Sequence, residues 1–346
     1  VAEGPYRDES DLYELARRVR WPDWITPEQT LRVDANAHQC PLRSLNFAAL
    51  RIKDAVCDAL REASGARPSV DTRNSTLPLQ LFLGPTHASI YVDTTGEALF
   101  KRGWRDARGG RVDVKGEAPL KETLAAAMLA AAGWQGRPDD GPLLDPCCGA
   151  GTIAIEAAQL ACGIAPGLER HFAFERQKPF LPLRALWQQL RRDARARVHE
   201  PAVPVFAGDV SFRMTDFAQR NAERAGVAHA IAFKTADALQ RPPPAERGCI
   251  VMNPPYGERI APKGQGQSQS TAREGFEGGA DASAFFGALA SHWKRHYGGW
   301  TAWCLSPEMK LPSLMRLKES RRVPLWNGGI ECRLFRFDLV SGSNRD

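Results

Sequence analysis

One stretch constrains the fold more than any other: residues 143–158 read LLDPCCGAGTIAIEAA. A short apolar run ends at an aspartate, a turn containing Gly149 and Gly151 follows, and small apolar residues then continue at helical spacing. This order predicts a buried strand, a glycine turn and a helix. A glycine turn between a strand and a helix usually holds a ligand, because the helix begins with backbone N–H groups that have no partner inside the helix.

From residue 119 onwards the pattern alternates between helices and strands. Strands are predicted at about 142–145, 203–207, 230–234, 249–252, 299–305 and 331–339, most of them separated by helical stretches. This alternation predicts an α/β fold with a doubly wound, mostly parallel sheet. The last stretch, CRLFRFDLV, alternates polar and apolar residues and is expected to be an antiparallel or edge strand.

The first hundred residues have a different pattern and predict a small α+β domain. Helices are expected over 11–20 and over the long amphipathic stretch that ends at Gly65, with a strand at TLRVDANA and a hairpin formed by LPLQLFLG and HASIYVDTTG. Residues 101–118 are rich in Gly and Arg. We therefore predict three parts: 1–100, a linker over 101–118, and 119–346.

Composition narrows the class of protein. The 346 residues, 43% of them hydrophobic, are enough for two buried cores. We expect a cytoplasmic protein, because the sequence shows neither an apolar run of about 18 residues nor a signal peptide. The eight cysteines include no Cys-x-x-Cys pair, so we expect reduced thiols and no structural metal.

The charge suggests a partner rich in phosphate. The formal net charge is +6, and 36 of the 46 basic residues are Arg. A guanidinium pairs with phosphate in a bidentate way and stacks on bases, which favours a nucleic acid. A high-GC coding sequence would also raise the Arg content, so charge alone leaves both explanations open.

The glycine turn matches the G-x-G-x-x-A pattern of dinucleotide-binding folds, so a dinucleotide such as NAD is one candidate. Asp145 argues against it, because a carboxylate at the end of the strand repels a pyrophosphate. The next acid at a strand end is Asp209, 58 residues after Gly151, whereas a ribose-binding acid is expected about 20 residues on.

A cationic ligand, S-adenosylmethionine, fits these aspartates better. Asp145 is expected near its ammonium group, Asp209 at its ribose hydroxyls and Asp237 at its adenine amino group. Each aspartate taken alone could be a helix cap or a turn residue. Three of them at successive strand ends favour a ligand, because open α/β sheets bind ligands at that edge.

The stretch CIVMNPPYGERI adds a second site. An apolar strand runs directly into Asn253, and two prolines then remove two backbone donors. The carbonyl groups of Asn253 and Pro254 are therefore expected to accept hydrogen bonds from an amino group on a base, and Tyr256 to stack on the ring. The alternative is a proline-rich turn without a ligand.

Together, these motifs resemble a known family. RPSVDTRNS, YVDTTGEALFKRGWR, APLKETLAAAML, DPCCGAGTIAIEAA, GDVSFRMTDFAQRNAERAGV and NPPYGER occur in this order over nearly the whole chain. In combination they are similar to the THUMP-containing, class I rRNA guanine-N2 methyltransferases, in particular to the guanine-N2 half of the fused bacterial 23S rRNA enzymes. The resemblance implies an N-terminal THUMP and ferredoxin-like RNA-binding domain and a Rossmann-like methyltransferase domain.

The resemblance also implies roles for individual residues. The target base is assigned to Asn253, Pro254, Pro255 and Tyr256. The cofactor is assigned to Pro119, Lys121, Glu122, Thr123, Asp145, Pro146, Cys147, Cys148, Gly149, Gly151, Thr152, Asp209, Val210, Asp237, Ala238 and Asn253. We further predict that Arg73, Lys101, Arg102 and Arg105 bind RNA phosphates; the alternative is that these arginines only brace the linker.

Two of the chain's departures from the family pattern concern its N-terminal region and an insert. The chain starts within the family's N-terminal RNA-binding region, so part of that region is expected to be missing. A Gly/Gln/Ser-rich insert over 261–282 is expected to be either a lid beside the base pocket or a tolerated surface insertion.

The expected partner is 23S rRNA before full ribosome assembly, with no DNA and no membrane. Three alternatives stay open: a tRNA guanine-N2 methyltransferase, a DNA adenine-N6 methyltransferase, and a catalytically silent RNA-binding or assembly factor.

Overall fold

The structure is a computed structural model that describes residues 1–105, 120–254 and 280–340, with side chains from residue 283 in the last range. The chain divides into two compact units. Unit 1 comprises Val1–Leu99 and Arg170–Arg192, and unit 2 comprises Phe100–Glu169 and the chain from Asp193 onwards. Among the described residues, no helix has the length and apolar character needed to span a membrane.

Unit 1 contains a five-stranded sheet and two helices. The strands are β1 (Ala2–Pro5), β2 (Thr30–Ala37), β3 (Ser69–Val70), β4 (Leu77–Leu83) and β5 (His87–Val92), and the helices are α1 (Glu9–Arg17) and α2 (Leu45–Ser64). The strand order is β1-β5-β4-β2-β3. The predicted hairpin (β4 and β5), the strand β2 and both helices are confirmed. The short strands β1 and β3 were not predicted.

Both helices of unit 1 begin where the sequence offers a capping side chain. The Asp8 carboxylate accepts hydrogen bonds from the backbone N–H groups of Ser10 and Asp11, at 2.9 and 3.1 Å. The hydroxyl of Ser44 accepts from the N–H of Phe47 at 3.2 Å. Such caps satisfy N–H groups that a helix leaves without partners. α2 ends at Gly65, whose φ of 78° lies in the left-handed region that glycine adopts without strain.

Residues 170–192 belong to unit 1 although they follow unit 2 residues in the chain. The side-chain amide of Gln177 donates to the carbonyl of Asp93 at 2.8 Å, and Arg176 donates to the side chain of Asn74 at 2.8 Å. The aromatic rings of this segment pack against one another, one pair stacked and three pairs edge to face, with centroids 5.0–5.7 Å apart; they belong to Phe172, Phe174, Phe180 and Trp187. The predicted boundaries, which placed everything from 119 to 346 in one domain, did not anticipate this return.

Unit 2 contains a seven-stranded sheet. Its strands are β6 (Leu143–Asp145), β7 (Val205–Asp209), β8 (Ile231–Thr235), β9 (Gly248–Met252), β10 (Trp300–Ser306), β11 (Arg321–Asn327) and β12 (Ile330–Asp338). The order is β11-β12-β10-β9-β6-β7-β8. Five neighbouring strands of the sheet are parallel: β8, β7, β6, β9 and β10. β12 is antiparallel to both β10 and β11. The doubly wound sheet and the antiparallel last strand are confirmed, but the edge is β11, which was not predicted.

Helices cover both faces of this sheet. They are α3 (Glu122–Ala132), α4 (Thr152–Ala161), α6 (Phe212–Arg224), α7 (Ala280–His296) and α8 (Leu311–Met315), while α5 (Arg184–Ala196) runs from unit 1 into unit 2. One apolar core joins α3 and α4 to strand residues such as Leu143 and Val205. A second core joins α7 to Leu144 and Ile250, which point to the opposite face. Strand residues that alternate between the two faces therefore bury both sides of the sheet.

The connections reverse direction at the centre of the sheet. β6 lies between β9 and β7, so the chain leaves β6 towards β7 and β8 and later returns to β9 on the other side. Open α/β sheets bind ligands at the carboxyl ends of the strands beside such a reversal. The carboxyl ends of β6, β7, β8 and β9 are therefore the candidate site.

Candidate active site

The glycine turn between β6 and α4 is tightly built. The N–H of Cys148 donates to the carbonyl of Gly208 in β7 at 2.7 Å, and the N–H of Gly151 donates to the carbonyl of Cys148 at 2.7 Å. Gly151 has a φ of 84°, and a Cβ at this position would lie 2.9 Å from the Cβ of Ala218. Only glycine gives both the left-handed backbone and this close approach of α4 to α6.

Asp145 ends β6 and is the most deeply buried acid of the site, with 1% of its surface exposed. Its carboxylate accepts one hydrogen bond, from the N–H of Cys147 at 3.3 Å. Burial is the main reason that the pKa of Asp145 is raised to about 8; the nearby Asp209 acts in the same direction, and the Cys147 N–H and Arg241 oppose the shift. A bound cation would stabilise the ionised form of a carboxyl group that is buried in this way.

Asp209 ends β7 and supports the glycine turn. One carboxylate oxygen accepts from the N–H of Gly149 at 3.0 Å, and the other accepts from the N–H of Ser211 at 3.0 Å. Burial raises the pKa of Asp209, and these two backbone donors lower it in part. An ionised carboxylate has about four acceptor positions, so two hydrogen bonds leave room for a ligand. Val210, beside it, is exposed.

Asp237 lies just beyond β8. Its carboxylate accepts from the N–H of Leu239 at 2.9 Å and so forms a local turn, which is the structural role that the sequence also allowed. Asp237 is half-buried and its neighbour Ala238 is buried. Asp145, Asp209 and Asp237 therefore lie at one edge of the sheet, at the ends of neighbouring strands. Their roles toward a ligand stay predictions.

Asn253 directly follows β9, the strand on the other side of β6. Its side-chain oxygen is buried and accepts no hydrogen bond from any residue that the structure describes. A buried acceptor without a partner is costly unless a ligand or a water supplies the donor. Pro254 is buried next to it. Pro255 and Tyr256, like Pro119, lie outside the described residues, and their predicted roles stay predictions.

Two parts of the chain match known domain families, and the chain as a whole matches known proteins. Residues 6–93 match the THUMP domain, and residues 108–272 match the RMKL-like methyltransferase domain of the UPF0020 family. A relative from Shewanella baltica (strain OS185), named ribosomal RNA large subunit methyltransferase K/L, is 34% identical over 350 residues. The chain combines a THUMP domain with an RMKL-like methyltransferase domain.

The alignment with the Shewanella relative covers 100% of this chain and 46% of that protein, so the chain spans about half the length of the curated relatives that it matches. Two solved structures share the fold. A "possible methylase" from Clostridium difficile 630 is 26% identical with a TM-score of 0.82, and covers 100% of this chain and 84% of its own. SMU.472, described as "a putative methyltransferase" and solved with S-adenosylhomocysteine (SAH), is 24% identical with a TM-score of 0.83; the match covers 99% of this chain and 84% of that one.

Two of the four basic residues that were predicted to bind RNA are instead buried in ion pairs of unit 2. Arg102 contacts Glu156 of α4 through two hydrogen bonds, at 3.0 and 3.1 Å, and the two side chains are 9% and 5% exposed. Arg105 lies 3.1 Å from Glu122 of α3 and also donates to the hydroxyl of Thr152. The prediction for Arg102 and Arg105 was wrong, because buried, paired guanidinium groups cannot also reach phosphates.

The structure does not test the predicted roles of the remaining cofactor and RNA residues discussed next, so these roles stay predictions. Glu122 was assigned to the cofactor; one of its oxygens faces Arg105, and the other is buried without a hydrogen-bond partner among the described residues. Lys121 is exposed with its ammonium group 5.2 Å from the ring centre of Phe100, and Thr123 is half-buried. Arg73 and Lys101 are exposed.

Sequence reasoning missed two residues that shape the site. Asn221, fully buried in α6, donates to the carbonyl of Ala150 at 2.8 Å and so fixes the glycine turn from a third side. Its amide lies on the apolar stripe of the amphipathic helix α6, one turn from Ala218 and beside Ala222. This position could have identified Asn221 from the sequence as a buried polar residue with a specific partner. Arg241 is buried close to Gly208 in β7. It lies in a proline-rich loop with no periodic pattern, and no signal in the sequence pointed to it.

Proposed function

We propose that the protein transfers a methyl group from S-adenosylmethionine to the exocyclic N2 of a guanine in 23S rRNA. The observation that carries the proposal is the buried, uncommitted side-chain oxygen of Asn253, which ends the strand beside Asp145. The name of the curated relatives, ribosomal RNA large subunit methyltransferase, supports an RNA substrate. The THUMP domain at residues 6–93 is proposed to grip that RNA.

The residues present fit S-adenosylmethionine. Asp145 is a buried carboxyl group that a cation would keep charged, and the ammonium group of the cofactor is such a cation. Asp209 has acceptor positions left for ribose hydroxyls, and Asp237 for the adenine amino group. The N-terminus of α4, after Gly151, would stabilise the carboxylate of the methionine part. When bound, the cofactor supplies an electrophilic methyl group on a sulfonium.

The task of the protein is to position a weak nucleophile. The lone pair of guanine N2 is delocalised into the ring. If Asn253 Oδ1 accepts a hydrogen bond from the amino group, it fixes the group and favours a pyramidal nitrogen whose lone pair can point at the methyl carbon. Tyr256 is proposed to stack on the base. Correct orientation of two reactants can contribute about 7–11 kcal/mol to lowering a barrier.

The experiment that tests the proposal is single-turnover methyl transfer to 23S rRNA purified from cells that lack this modification. Asn253→Ala should lower the rate by about 10² or more, as removal of positioned polar contacts does in other enzymes. It should leave the SAH dissociation constant within a few-fold, because the three aspartates are unchanged. Asn253→Asp keeps an acceptor and serves as the matched control, with partial activity expected.

Four outcomes would redirect the proposal. Transfer to tRNA but not to rRNA would change the substrate, and product on adenine would change the target base. Near-normal rates with folded Asn253→Ala would show that Asn253 only ends a strand. SAH binding without transfer to any RNA would favour a silent RNA-binding or assembly factor. The proposal also places the reaction on rRNA before the ribosome is fully assembled, which assays on free rRNA and on intact subunits compare.

A further inference from the structure

Arg105 connects the starts of two helices of unit 2. Its Nη2 donates to the carbonyl of Leu120 at 3.1 Å and to the hydroxyl of Thr152, and its Nε lies 3.1 Å from a carboxylate oxygen of Glu122. Glu122 is the first residue of α3, and Thr152 is the first residue of α4. One guanidinium therefore holds the two helix starts together, through a planar fork of N–H groups that lysine lacks.

The surroundings of this guanidinium extend to the glycine turn. It lies 4.8 Å from the centre of the Trp104 ring, within the range of a cation–π contact. Trp104 is buried, and its carbonyl accepts a hydrogen bond from Arg224 of α6 at 2.8 Å. Arg224 also donates to the side chain of Asn221, which holds the carbonyl of Ala150. Arg105 is thus part of a connected set of contacts around the glycine turn.

The side-chain charges beside the two helix starts cancel. Arg105 pairs with Glu122, and Arg102 pairs with Glu156, so these four side chains carry no net charge. What remains is the partial positive charge of two helix N-termini, about half an elementary charge each. Within the described part of the chain, no side chain caps the first N–H groups of α3 or α4. An anion at these helix starts would therefore be stabilised.

We propose that Arg105 is a positioning residue of the cofactor pocket, which holds the start of α3 against the start of α4 so that the pocket receives the carboxylate of the methionine part. The proposal rests on the proposed function, because it presumes that cofactor. Arg105 acts through Glu122 and Thr152, both assigned to the cofactor from the sequence, and does not itself touch the ligand.

Arg102 offers a matched comparison. It makes two hydrogen bonds to Glu156, which lies one turn further along α4 than Thr152. Both arginine–glutamate pairs are largely buried, so the loss of either arginine should destabilise unit 2. Of the two pairs, the one formed by Arg105 lies at the helix starts. Its loss should therefore change recognition of the carboxylate, and loss of Arg102 should not.

The test compares the binding of SAH and of decarboxylated SAH to the full chain by calorimetry. Decarboxylated SAH keeps the adenosine, the sulfur and the ammonium group, and lacks the carboxylate. In Arg105→Met, the affinity for SAH should fall by about tenfold or more, as for loss of one charge-assisted hydrogen bond, and the affinity for the decarboxylated compound should stay within about twofold. In Arg102→Met, the ratio of the two affinities should equal that of the wild type, although urea denaturation should show a loss of stability.

Thr152→Val tests the connection without removing a charge, because it deletes the hydroxyl that accepts from Arg105. A double-mutant cycle measures whether the two residues act together. If Arg105 acts through Thr152, the double variant should bind SAH about as weakly as Arg105→Met alone. Losses that add in full would show that Thr152 acts on the cofactor independently of Arg105, and would contradict the proposal.

General damage to unit 2 has a different signature. A parallel loss of affinity for both compounds in Arg105→Met, the same selective loss in Arg102→Met, or unchanged SAH binding by folded Arg105→Met would overturn the proposal. If Arg105→Met does not fold, Arg105→Lys replaces it in every comparison, because lysine keeps the charge and lacks the fork that reaches both Leu120 and Thr152. Absence of SAH binding by the wild type is a separate result, which would refute the proposed cofactor itself.

Discussion

Unit 2 contains two kinds of buried carboxylate, and the difference separates structure from function. Glu122 and Glu156 are each paired with an arginine at 3.0–3.1 Å. Asp145 is buried to a similar degree and has no ion-pair partner within the described part of the chain. The paired acids connect α3 and α4 to the segment at 102–105, whereas Asp145 has capacity left for a cation that the protein does not supply.

The partner of a buried acid determines whether its raised pKa indicates a structural ion pair or a candidate binding site. Burial raises the pKa of Glu156, and its bidentate arginine lowers it again, so the charge is satisfied within the fold. Asp145 receives one backbone hydrogen bond and the distant field of Arg241. Perturbed acids occur in structural ion pairs as well as in active sites, and the partner distinguishes the two.

The largest effect is expected from breaking a structural pair. Arg102→Met leaves Glu156 buried without its cation, and loss of one partner of a buried pair costs about 3–5 kcal/mol. Urea denaturation should show this loss in the transition that unfolds unit 2. Arg7→Met is the control, because the Arg7 side chain is 90% exposed and its surface pair with Asp11 should contribute little to stability. Equal losses in the two variants would contradict the structural role.

A smaller effect, on binding and not on folding, is expected at Asp145. Asp145→Asn removes the carboxylate that we propose receives the ammonium group, and loss of a charge-assisted hydrogen bond costs about 1.5–3 kcal/mol, or roughly ten- to a hundredfold in SAH affinity. The free energy of unfolding should stay equal or increase, because Asn has no ionised form for burial to disfavour. Calorimetry and urea denaturation measure the two quantities. Asp139→Asn, an exposed neighbour of β6, should change neither.

The pH dependence of stability should show the same contrast. The pKa of Asp145 in the folded protein, about 8, is above its unfolded value of about 3.9. Its contribution to stability is therefore present below about pH 4 and is lost as the pH rises to about 8, with a slope of at most about 1.4 kcal/mol per pH unit. Asp145→Asn should gain on the wild type over this window. A stability difference that does not change between pH 5 and pH 8 would exclude this.

The smallest effect is expected from the exposed cations. Arg73→Ala with Lys101→Ala should reduce the slope of log affinity for rRNA against log salt by up to about two units, because each phosphate contact releases counterions. Arg102→Met should leave this slope unchanged, since its partner is Glu156. Filter binding between low and moderate salt measures both. An unchanged slope in the double variant would show that residues other than Arg73 and Lys101 bind the RNA phosphates.

Periodic patterns in the sequence predicted the parts of the fold that repeat. The parallel strands, the glycine turn and the aspartates at the strand ends were found because alternating helices and strands fix which strand ends share an edge. Asn253 was found because the prolines after it mark an interrupted strand.

Long-range pairing explains most of what was missed. Arg102 meets Glu156, 54 residues further on, and nothing local tells a buried arginine from one that binds phosphate. The two-residue strand β3 is too short for a periodic signal. β11 was missed because Pro324 interrupts it, and proline within a run demotes a strand prediction.

The return of residues 170–192 to unit 1 sets an order of events during synthesis. The ribosome completes β6, the glycine turn and α4 before it makes the aromatic cluster around Trp187 that packs into unit 1. Unit 1 therefore cannot reach its final form before residue 192 has emerged, when β6 and α4 of unit 2 have already been made. A protease cut or a gene fusion placed after residue 99 would follow the domain boundary that the sequence predicts. It would still separate the first 99 residues of unit 1 from residues 170–192.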